Sequence, residues 1–281
     1  MMDISMSLYR YRSKRSDDQE VRDQLAELAG THNRWGFWMM YHRLRNLNYK
    51  WNHKRVYRVY KEMGLHMRRK HKKRLPARVI EPLVQPETFN CTWSMDFMHD
   101  TLSNGVKFRS FNIIDDFNRE ALHITMDTGL SSKRVIRELD QLIGWRGAPK
   151  KIRGDNGPEF IAQAMQSWAQ GRGIELCFIQ KGKPYQNGFM ERFNRSFREE
   201  VLDAYSFTRL REALQMAHAW MWVYNNERPH SALEYLPPVQ YLLKYGKRPA
   251  AQEANAAFPT FQQDNSNNNS EWKSIVLSAT N

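Results

Sequence analysis

The chain has 281 residues, 41% of them hydrophobic, and a formal net charge of +13. Such a charge favours a polyanionic partner, because binding releases the counterions that surround a polyanion. No apolar run approaches the roughly 20 residues that span a bilayer, and no apolar stretch follows the N-terminal arginines as it would in a secretory signal. Membrane and secreted classes are therefore disfavoured.

The N-terminal quarter reads as a helical domain at 18–67 behind a flexible lead-in at 1–17. Apolar residues at helical spacing predict a first helix from Asp18 to about Gly30 and a second over Gly36–Asn46. Asn52 is a suitable N-cap for a third helix, which we expect to run through Met63 and end at Gly64.

The third predicted helix is strongly basic and follows a short turn, an arrangement that a helix-turn-helix uses to enter the major groove of DNA. The alternative is a helical hairpin with a solvated basic face. From Tyr41 to Arg78 there are fourteen lysines and arginines against the single acid Glu62. We expect DNA contacts from Lys54, Arg55, Arg58, Lys61, Arg68 and Arg69.

Four tryptophans fall at helical positions, and we expect them in the core rather than as platforms for base stacking. On the second helix this places Trp38 and Leu47 on the buried face together with Tyr41 and Leu44. The other three tryptophans are Trp35, Trp220 and Trp222.

Three further segments complete the domain organisation. Residues 68–90 combine a basic run with prolines and predict an extended linker. Residues 91–250 are expected to form the main domain with its C-terminal helices. Residues 251–281 include an Asn/Ser-rich stretch and are expected to be disordered.

The main domain begins with three β-rich runs at 92–98, 106–114 and 119–126. After them, helical and strand patterns alternate: helices at Ser131–Ile143, Glu159–Gln170, 187–201 and Arg209–Tyr224, strands at Lys150–Arg153 and Ile174–Ile179. A three-strand meander followed by alternating helix and strand predicts a mixed α/β domain.

Three carboxylates stand out in this domain. Asp96 lies inside an apolar strand-like run, where a charge is costly to bury unless something positive meets it. Asp155 ends a short strand, at the kind of edge where α/β sheets place their chemistry. Glu191 leads the charged face of an amphipathic helix, with 35 residues between it and Asp155.

Phosphoryl transfer suits such a set, since two Mg²⁺ ions about 3.5–4 Å apart can clamp the attacking and leaving oxygens and carboxylates are ligands for that hard ion. In this interpretation Asp96 bridges both ions, and Asp155 and Glu191 each complete one shell. Phosphates nearby would be neutralised by Lys183, Arg195 and Arg198.

Other carboxylates compete for the site. Asp100 follows Asp96 by four on a strand and so lies on the same face about 13 Å away. Asp115 and Asp116 read as turn residues, and Glu159 ranks below Glu191. A late segment, 224–230, is either a supporting or DNA-contacting element or a helix end stopped by proline.

Four segments carry a resemblance to a known family over roughly residues 20–250. On them the chain resembles the OrfB transposases of bacterial insertion sequences, which are of the DDE type related to retroviral integrases. The segments are Trp93-Ser94-Met95-Asp96-Phe97, Asp155-Asn156-Gly157-Pro158-Glu159-Phe160, 182–194 around Glu191, and Tyr224-Asn225-Asn226-Glu227-Arg228-Pro229-His230, with Arg198 seven residues after Glu191.

The resemblance implies an RNase-H-like core, a mixed five-stranded sheet with flanking helices, with Asp96, Asp155 and Glu191 as catalytic metal ligands. It implies Mg²⁺ or Mn²⁺ as a pair of ions, 3′-end cleavage of an insertion sequence, and strand transfer into another DNA. It also implies an upstream OrfA-type partner, and we expect a homo-oligomer. Because the two-cysteine half of the integrase zinc module is missing, we expect no zinc.

The two cysteines, Cys91 and Cys177, form no CxxC pair, which fits a reducing cytoplasm. Together with the resemblance to the transposases of bacterial insertion sequences, this predicts a bacterial cytoplasmic protein associated with the nucleoid.

Two other functions remain open. One is an RNase-H-like nuclease that cuts without joining, although a basic helical N-terminal region is not needed for that. The other is a catalytically inactive DNA-binding regulator derived from a transposase, against which the intact set of three carboxylates argues.

Overall fold

The computed structural model describes residues 5–6, 10, 17–67, 83–180 and 184–246, and the chain divides into two compact units, Met1–Arg68 and Arg69–Asn281. Most of the predicted lead-in, linker and tail lies outside the described residues. None of the described helices is long and apolar enough to cross a lipid bilayer.

Within the described residues, the first unit has three helices over 19–62 and the second has a sheet with its covering helices. In chain order they are α1 (Gln19–Thr31), α2 (Phe37–Asn46), α3 (His53–Glu62), β1 (Thr92–Thr101), β2 (Lys107–Asp115), β3 (Ala121–Asp127), α4 (Ser132–Arg146), β4 (Lys151–Gly154), α5 (Pro158–Ile161), α6 (Gln163–Gly171), β5 (Glu175–Phe178), α7 (Gly188–Phe197), α8 (Leu210–Asn226) and α9 (Pro238–Tyr245).

The helical unit forms as its periodicity predicts, because each helix presents one apolar stripe to the other two. The Asn52 side chain accepts a hydrogen bond from the Lys54 backbone N–H at 2.9 Å and so caps α3. Gly64 follows the helix in the left-handed region at φ +68°, where glycine avoids the strain of a side chain. The buried stripe residues are Val21, Leu25, Leu28, Met40, Leu44, Val56, Val59 and Tyr60.

The predicted buried face of α2 is wrong at two positions. Trp38 is 51% exposed and Leu47 is 45% exposed, while Met40 and Leu44 take the buried positions. The tryptophan before the helix, Trp35, is buried and stacks on His32 with the ring centroids 3.8 Å apart. Hydrophobicity alone does not predict which side of α2 is buried. The buried side is the one against which α1 and α3 pack.

The second unit is built on a five-stranded mixed sheet in the order β3-β2-β1-β4-β5, which confirms the predicted fold class. The pairs β1–β2 and β2–β3 are antiparallel, whereas β1–β4 and β4–β5 are parallel. Strand β1 is therefore central and has one antiparallel and one parallel neighbour. Such a sheet needs covering on both faces.

The two faces of the sheet are covered by different helices. On one face, Trp93 and Met95 of β1 join a core with the apolar sides of α4 and α6. On the other, α7 packs against β1 and β2, and α8 packs against β3. Phe193 of α7 and Trp220 of α8 meet there with their ring centroids 5.5 Å apart. Successive residues of β1 thus face different layers.

Two predicted helices have different bounds in the structure. The helix expected at Glu159–Gln170 is broken at Ala162, whose ψ of 140° is extended, so α5 and α6 are separate. The helix expected at 187–201 is α-helical only to Phe197 and continues as a π-helical turn over Arg198–Leu202.

The turn after β2, where Asp115 and Asp116 lie, is buried. The Asp115 carboxylate accepts hydrogen bonds from the backbone N–H groups of Asn90 and Phe117, at 2.8 and 2.9 Å, and burial raises its pKa to about 7. Asp116 is ion-paired with Arg153 of β4 at 2.5 Å. Both carboxylates therefore stabilise the fold of this corner.

The late segment 224–230 ties the C-terminal helices to the sheet. The Asn225 side chain bonds to both backbone groups of Ala121 at the start of β3, with distances of 2.8 and 2.9 Å. Earlier on α8, the His218 ring donates to the backbone oxygen of Ile124 in β3 at 3.2 Å. Arg228 is ion-paired with Glu200 of the π-helical turn at 3.0 Å. These contacts give the segment a supporting role.

A buried ion pair at the end of α4 provides a test of this fold. Arg146 and Glu120 are bonded by two contacts, at 3.1 and 2.5 Å, and both side chains are 5% exposed. We predict that Arg146→Met lowers the free energy of unfolding by about 3–5 kcal/mol, because Glu120 is left buried without its partner.

The matched control is Lys151→Met, which breaks the exposed pair between Lys151 and Glu175 and should cost less than about 1 kcal/mol. Chemical denaturation of both variants gives the comparison. Equal, small losses would contradict the structural role of the Arg146 pair.

Candidate active site

Asp96 occupies the middle of the central strand, and its side chain faces the layer of α7. It lies directly opposite Asn112 of β2 in the strand register. One carboxylate oxygen, Oδ1, accepts the backbone N–H of Phe97 at 2.8 Å, and Oδ2 accepts the Asn194 amide of α7 at 2.8 Å. Asp96 is therefore half-buried and fixed from two sides.

Asp155 follows β4 immediately, at the sheet edge where the parallel strands β1 and β4 both run towards their carboxyl ends. Its Oδ1 accepts the Gly157 backbone N–H at 3.0 Å, which closes a tight turn. The next residue, Asn156, donates to the backbone oxygen of Ile179 at 2.7 Å and fastens the turn to the end of β5. The Asp155 side chain is thereby held beside β1.

A glycine precedes Asp155 because the core approaches the backbone closely there. A Cβ atom on Gly154 would lie 3.3 Å from Cε of Met95 and 3.4 Å from Cδ2 of Phe160. A larger residue would have to displace one of these buried side chains. This packing fixes the position of the backbone before Asp155 relative to the core.

Glu191 lies in the first turn of α7 and is exposed. One helical turn later, Asn194 is buried and bonded to Asp96, so the same helix presents Glu191 to the neighbourhood of that carboxylate. Burial is the main reason why the pKa of Asp96 rises to about 6, and the negative charges of Asp155 and Glu191 raise it further. The structure thus brings the three predicted carboxylates into one electrostatic neighbourhood.

The three carboxylates do not form a closed cage. Over the described residues, no group of three or more histidine, cysteine, aspartate or glutamate side chains is gathered closely enough to hold a metal ion. Mg²⁺ usually retains several waters and is held by one or two carboxylates together with substrate phosphates. Oxygen donors that repel one another across an open edge suit such an ion, because its charge would relieve the repulsion.

Two asparagines that we did not predict complete the support of Asp96. Asn194 donates to Asp96, and its own amide oxygen accepts a hydrogen bond from the Asn112 side chain at 2.8 Å. Because Asn112 is fully buried, it orients the Asn194 amide so that its N–H₂ group points at the carboxylate. The one available signal in the sequence was the position of Asn194, three residues after Glu191.

Arg119 is a second residue that we did not predict. It adopts the left-handed conformation, with φ +60°, in the turn before β3 and is 8% exposed. Its guanidinium lies 3.4 Å from the ring centroid of Phe189, two residues before Glu191, and burial lowers the pKa of this arginine. A cation stacked on an aromatic ring holds the start of α7 against the sheet.

The competing carboxylates have other partners. Glu159 is ion-paired with Arg109, which stacks over the Phe97 ring at 4.1 Å, and this pairing lowers the pKa of Glu159. Asp100 is bonded to Arg198 at 3.3 Å. Both carboxylates are thus paired with arginines.

The residues predicted to bind DNA are in several different situations. Arg195 is exposed, whereas Arg198 is engaged with Asp100 and with the backbone oxygen of His99, at 2.8 Å for the latter. In the helical unit, Lys54 and Lys61 are exposed, but Arg55 and Arg58 are ion-paired with Asp18. Lys183, Arg68 and Arg69 lie outside the described residues.

Comparisons with known proteins agree with this architecture. Two family models described as integrase core domain match residues 87–184 and 172–238, and a model described as HTH-like domain matches residues 16–73. The central sheet with its edge carboxylates and the helical unit thus correspond to separate families. Together they define an integrase-type core with a helix-turn-helix-like module.

The similar proteins come from bacterial insertion elements. The chain is 40% identical over 259 residues to the insertion element IS407 uncharacterized 31.7 kDa protein of Burkholderia multivorans, covering 92% of each chain. It is 39% identical over 241 residues to the insertion element IS476 uncharacterized 39.2 kDa protein of Xanthomonas euvesicatoria, covering 86% of this chain and 68% of that one. The chain belongs to the insertion-sequence transposases that have an integrase-like core.

Among solved structures, the fold is similar to a chain of the simian T-cell lymphotropic virus intasome in complex with PP2A regulatory subunit B56 gamma. The TM-score is 0.49 at 18% sequence identity, covering 83% of this chain and 78% of that one.

The asparagine pair yields a test of the site's construction. We predict that Asn194→Ala lowers the free energy of unfolding by about 1–3 kcal/mol, since both Asp96 and Asn112 lose a buried hydrogen-bond partner. Glu199→Ala, at an exposed position in the following turn, should change it by less than about 0.5 kcal/mol. Urea denaturation of the two variants measures the difference, and an unchanged midpoint for Asn194→Ala would refute the proposed support of Asp96.

Proposed function

We propose that this transposase cleaves the 3′ ends of its insertion sequence and transfers them to a target DNA strand by metal-dependent phosphoryl transfer. The observation that carries the proposal is the position of Asp96 at the carboxyl edge of parallel strands, where burial and then the charges of Asp155 and Glu191 raise its pKa. Three carboxylates whose charges act on one another at an open sheet edge favour a cation site, and such a site in this family acts on DNA.

The chain's own residues divide the work as follows. Asp96, Asp155 and Glu191 would together hold a pair of Mg²⁺ or Mn²⁺ ions. Bound there, the metal pair would stabilise the attacking and leaving oxygens of an in-line displacement. Asn194 keeps the Asp96 carboxylate oriented towards the open edge, and the Arg119–Phe189 contact holds the start of α7.

The basic residues supply the remaining part of the proposal. The exposed Arg195, together with Arg198 and Lys183, would lie along the phosphates of the bound strand. The helical unit would hold the element ends through exposed basic residues such as Lys54 and Lys61, and the sequence adds Arg68 and Arg69 after them. Arg55 and Arg58 are ion-paired with Asp18. We further propose that the protein acts in the bacterial cytoplasm, as a homo-oligomer and with an OrfA-type upstream partner.

The direct test is a Mg²⁺-dependent cleavage and joining assay on duplex DNA with the element's own ends, with and without the upstream partner. We predict that Asp96→Asn, Asp155→Asn and Glu191→Gln each abolish joined product, because each removes a ligand charge, while end binding stays within about twofold of wild type. Retained joining in any of the three would remove that residue from the metal site.

The same assay separates the two other functions. Cleavage without joining by the wild type would favour a nuclease, and tight binding with no product even in the presence of the partner would favour an inactive regulator. Glu159→Gln is the matched control, since this carboxylate is already ion-paired with Arg109. It should retain joining activity.

Metal binding can be measured apart from activity. We predict that MgCl₂ raises the thermal midpoint of the wild type by about 3 °C at tenfold excess over Kd, because the ion binds only the folded site. The rise should be lost in Asp96→Asn and kept in Glu159→Gln, with NaCl at equal ionic strength as the reference. A full rise in Asp96→Asn would place the stabilising ion elsewhere.

A further inference from the structure

Helix α3 of the helical unit has three distinct faces. The first is apolar and buried, with Val56 and Val59 at its centre. The second carries Arg55 and Arg58, and the third carries His53, Tyr57 and Lys61, which recur at intervals of four residues and share one side of the helix. The two polar faces differ in what they contact.

The arginine face is engaged within the unit. Arg55 and Arg58 are ion-paired with opposite oxygens of Asp18, just before α1, at 2.8 and 2.6 Å, and these bonds lower the pKa of Asp18. Arg58 also contacts Glu62 at 3.0 Å, and Glu62 contacts Arg22 of α1 at 2.5 Å. The arginines therefore fasten α3 to α1, and their charges are largely matched.

The other polar face has no such partners. His53, Lys54, Tyr57 and Lys61 are exposed, and among the described residues none of their side chains has a hydrogen bond or ion pair. Tyr57 is 47% exposed, with the Lys61 ammonium 5.9 Å from its ring centroid. No carboxylate lies among these four residues, so the face has an unmatched positive charge.

The aromatic character of this face continues onto α2. Trp38 is 51% exposed, and its ring centroid lies 6.0 Å from that of His53. Phe37 contacts Tyr57 with the ring centroids 4.8 Å apart. A contiguous exposed aromatic surface on a small helical unit usually marks a binding surface. We call His53, Lys54, Tyr57, Lys61 and Trp38 the aromatic–basic face.

We propose that the aromatic–basic face is the surface that contacts duplex DNA, and that Arg55 and Arg58 serve to hold α3 in place. This rests on the proposed function and specifies how the helical unit would bind the element ends. A helix-turn-helix presents the N-terminal residues of its second helix to base edges, and His53, Lys54 and Tyr57 occupy those positions on α3.

Two properties favour DNA over a protein partner. The face is positively charged through Lys54 and Lys61, which matches a phosphate backbone. Its rings also carry polar atoms, the Tyr57 hydroxyl and the His53 and Trp38 ring nitrogens, which have no hydrogen-bond partner among the described residues. These atoms can bond to base edges or phosphates. An apolar protein interface would leave these groups unpaired.

The experiment compares two variants that each remove one positive charge from the same helix. Binding of the full chain to a fluorescein-labelled duplex of the element's end is measured by anisotropy at several salt concentrations, in EDTA so that catalysis does not contribute. We expect Lys61→Gln to weaken binding and to lower the salt slope by about one. Arg58→Gln should lower the thermal midpoint and leave the slope unchanged.

A third variant tests the aromatic part. Tyr57→Ala should lower the thermal midpoint slightly, because it loses the ring contact with Phe37, and should lower the preference for the element's end over a scrambled duplex of equal length by about tenfold. Lys61→Arg should restore the salt slope that Lys61→Gln loses. Lys50→Ala, an exposed lysine outside α3, is the control for general loss of charge.

Three results would overturn the inference. The first is a reduced slope in Arg58→Gln with an unchanged slope in Lys61→Gln, which would make the arginine face the contact surface. The second is unchanged binding to both duplexes by Tyr57→Ala. The third is a loss of self-association by Tyr57→Ala in sedimentation with DNA binding intact, which would make this face an interface between copies. The binding measurements are made in EDTA and do not depend on catalysis. A failure of the joining assay would therefore leave the interpretation of these binding results unchanged.

Discussion

Most of the second unit is arranged around one costly constraint, a carboxylate held half-buried in the middle of the central strand. Burial opposes its ionisation, and the two neighbouring carboxylates oppose it further. The surrounding structure offsets part of this cost with the Asn194 amide and the Phe97 backbone. Because Asn194 must reach Asp96, α7 has to pack against β1, and that packing brings Glu191 to the site.

The same constraint explains the buried polar corner behind the site. Asp116 and Arg153 lie beneath the carboxyl edge, and Asp115 is bonded to two backbone groups. These groups make the turn after β2 rigid, and Arg119 at its end is stacked on Phe189. The position of the α7 start is thus specified from the sheet through a chain of buried contacts.

Features that depend on neighbouring residues could be predicted from the sequence. Periodicity predicted a mixed α/β domain and the helical unit, and the residue type of Asn52 predicted the cap. The resemblance implied the five-stranded mixed sheet, and the motifs around Asp96, Asp155 and Glu191 pointed to one site. The sequence was insufficient where a partner is distant along the chain. Asn112 and Asn194 are 82 residues apart, and Asp18 and Arg55 are 37 apart, so neither contact leaves a periodic signal.

Trp38 shows the same limit on the scale of a residue. It has the hydrophobicity of a core residue and the spacing of a stripe, yet 51% of it is exposed because the buried side of α2 is filled by Met40 and Leu44. Hydrophobic character indicates that a surface will be covered but does not state by what. An exposed hydrophobic side chain such as Trp38 can be buried by a second molecule as well as by the rest of the same chain.

The contacts of α8 with β3 have a consequence for how the chain is made. β3 is an edge strand of the sheet, and the amide of Asn225 and the ring of His218 occupy backbone groups that an edge leaves open. Asn225 follows Ala121 by 104 residues, so on the ribosome the sheet would be exposed at this edge until α8 emerges. During that interval the nascent chain has an unprotected edge strand, with which a strand of another chain can pair. A messenger RNA truncated between the codons of α7 and α8 would therefore produce a chain that has Asp96, Asp155 and Glu191 but also an uncovered β3 edge that favours aggregation.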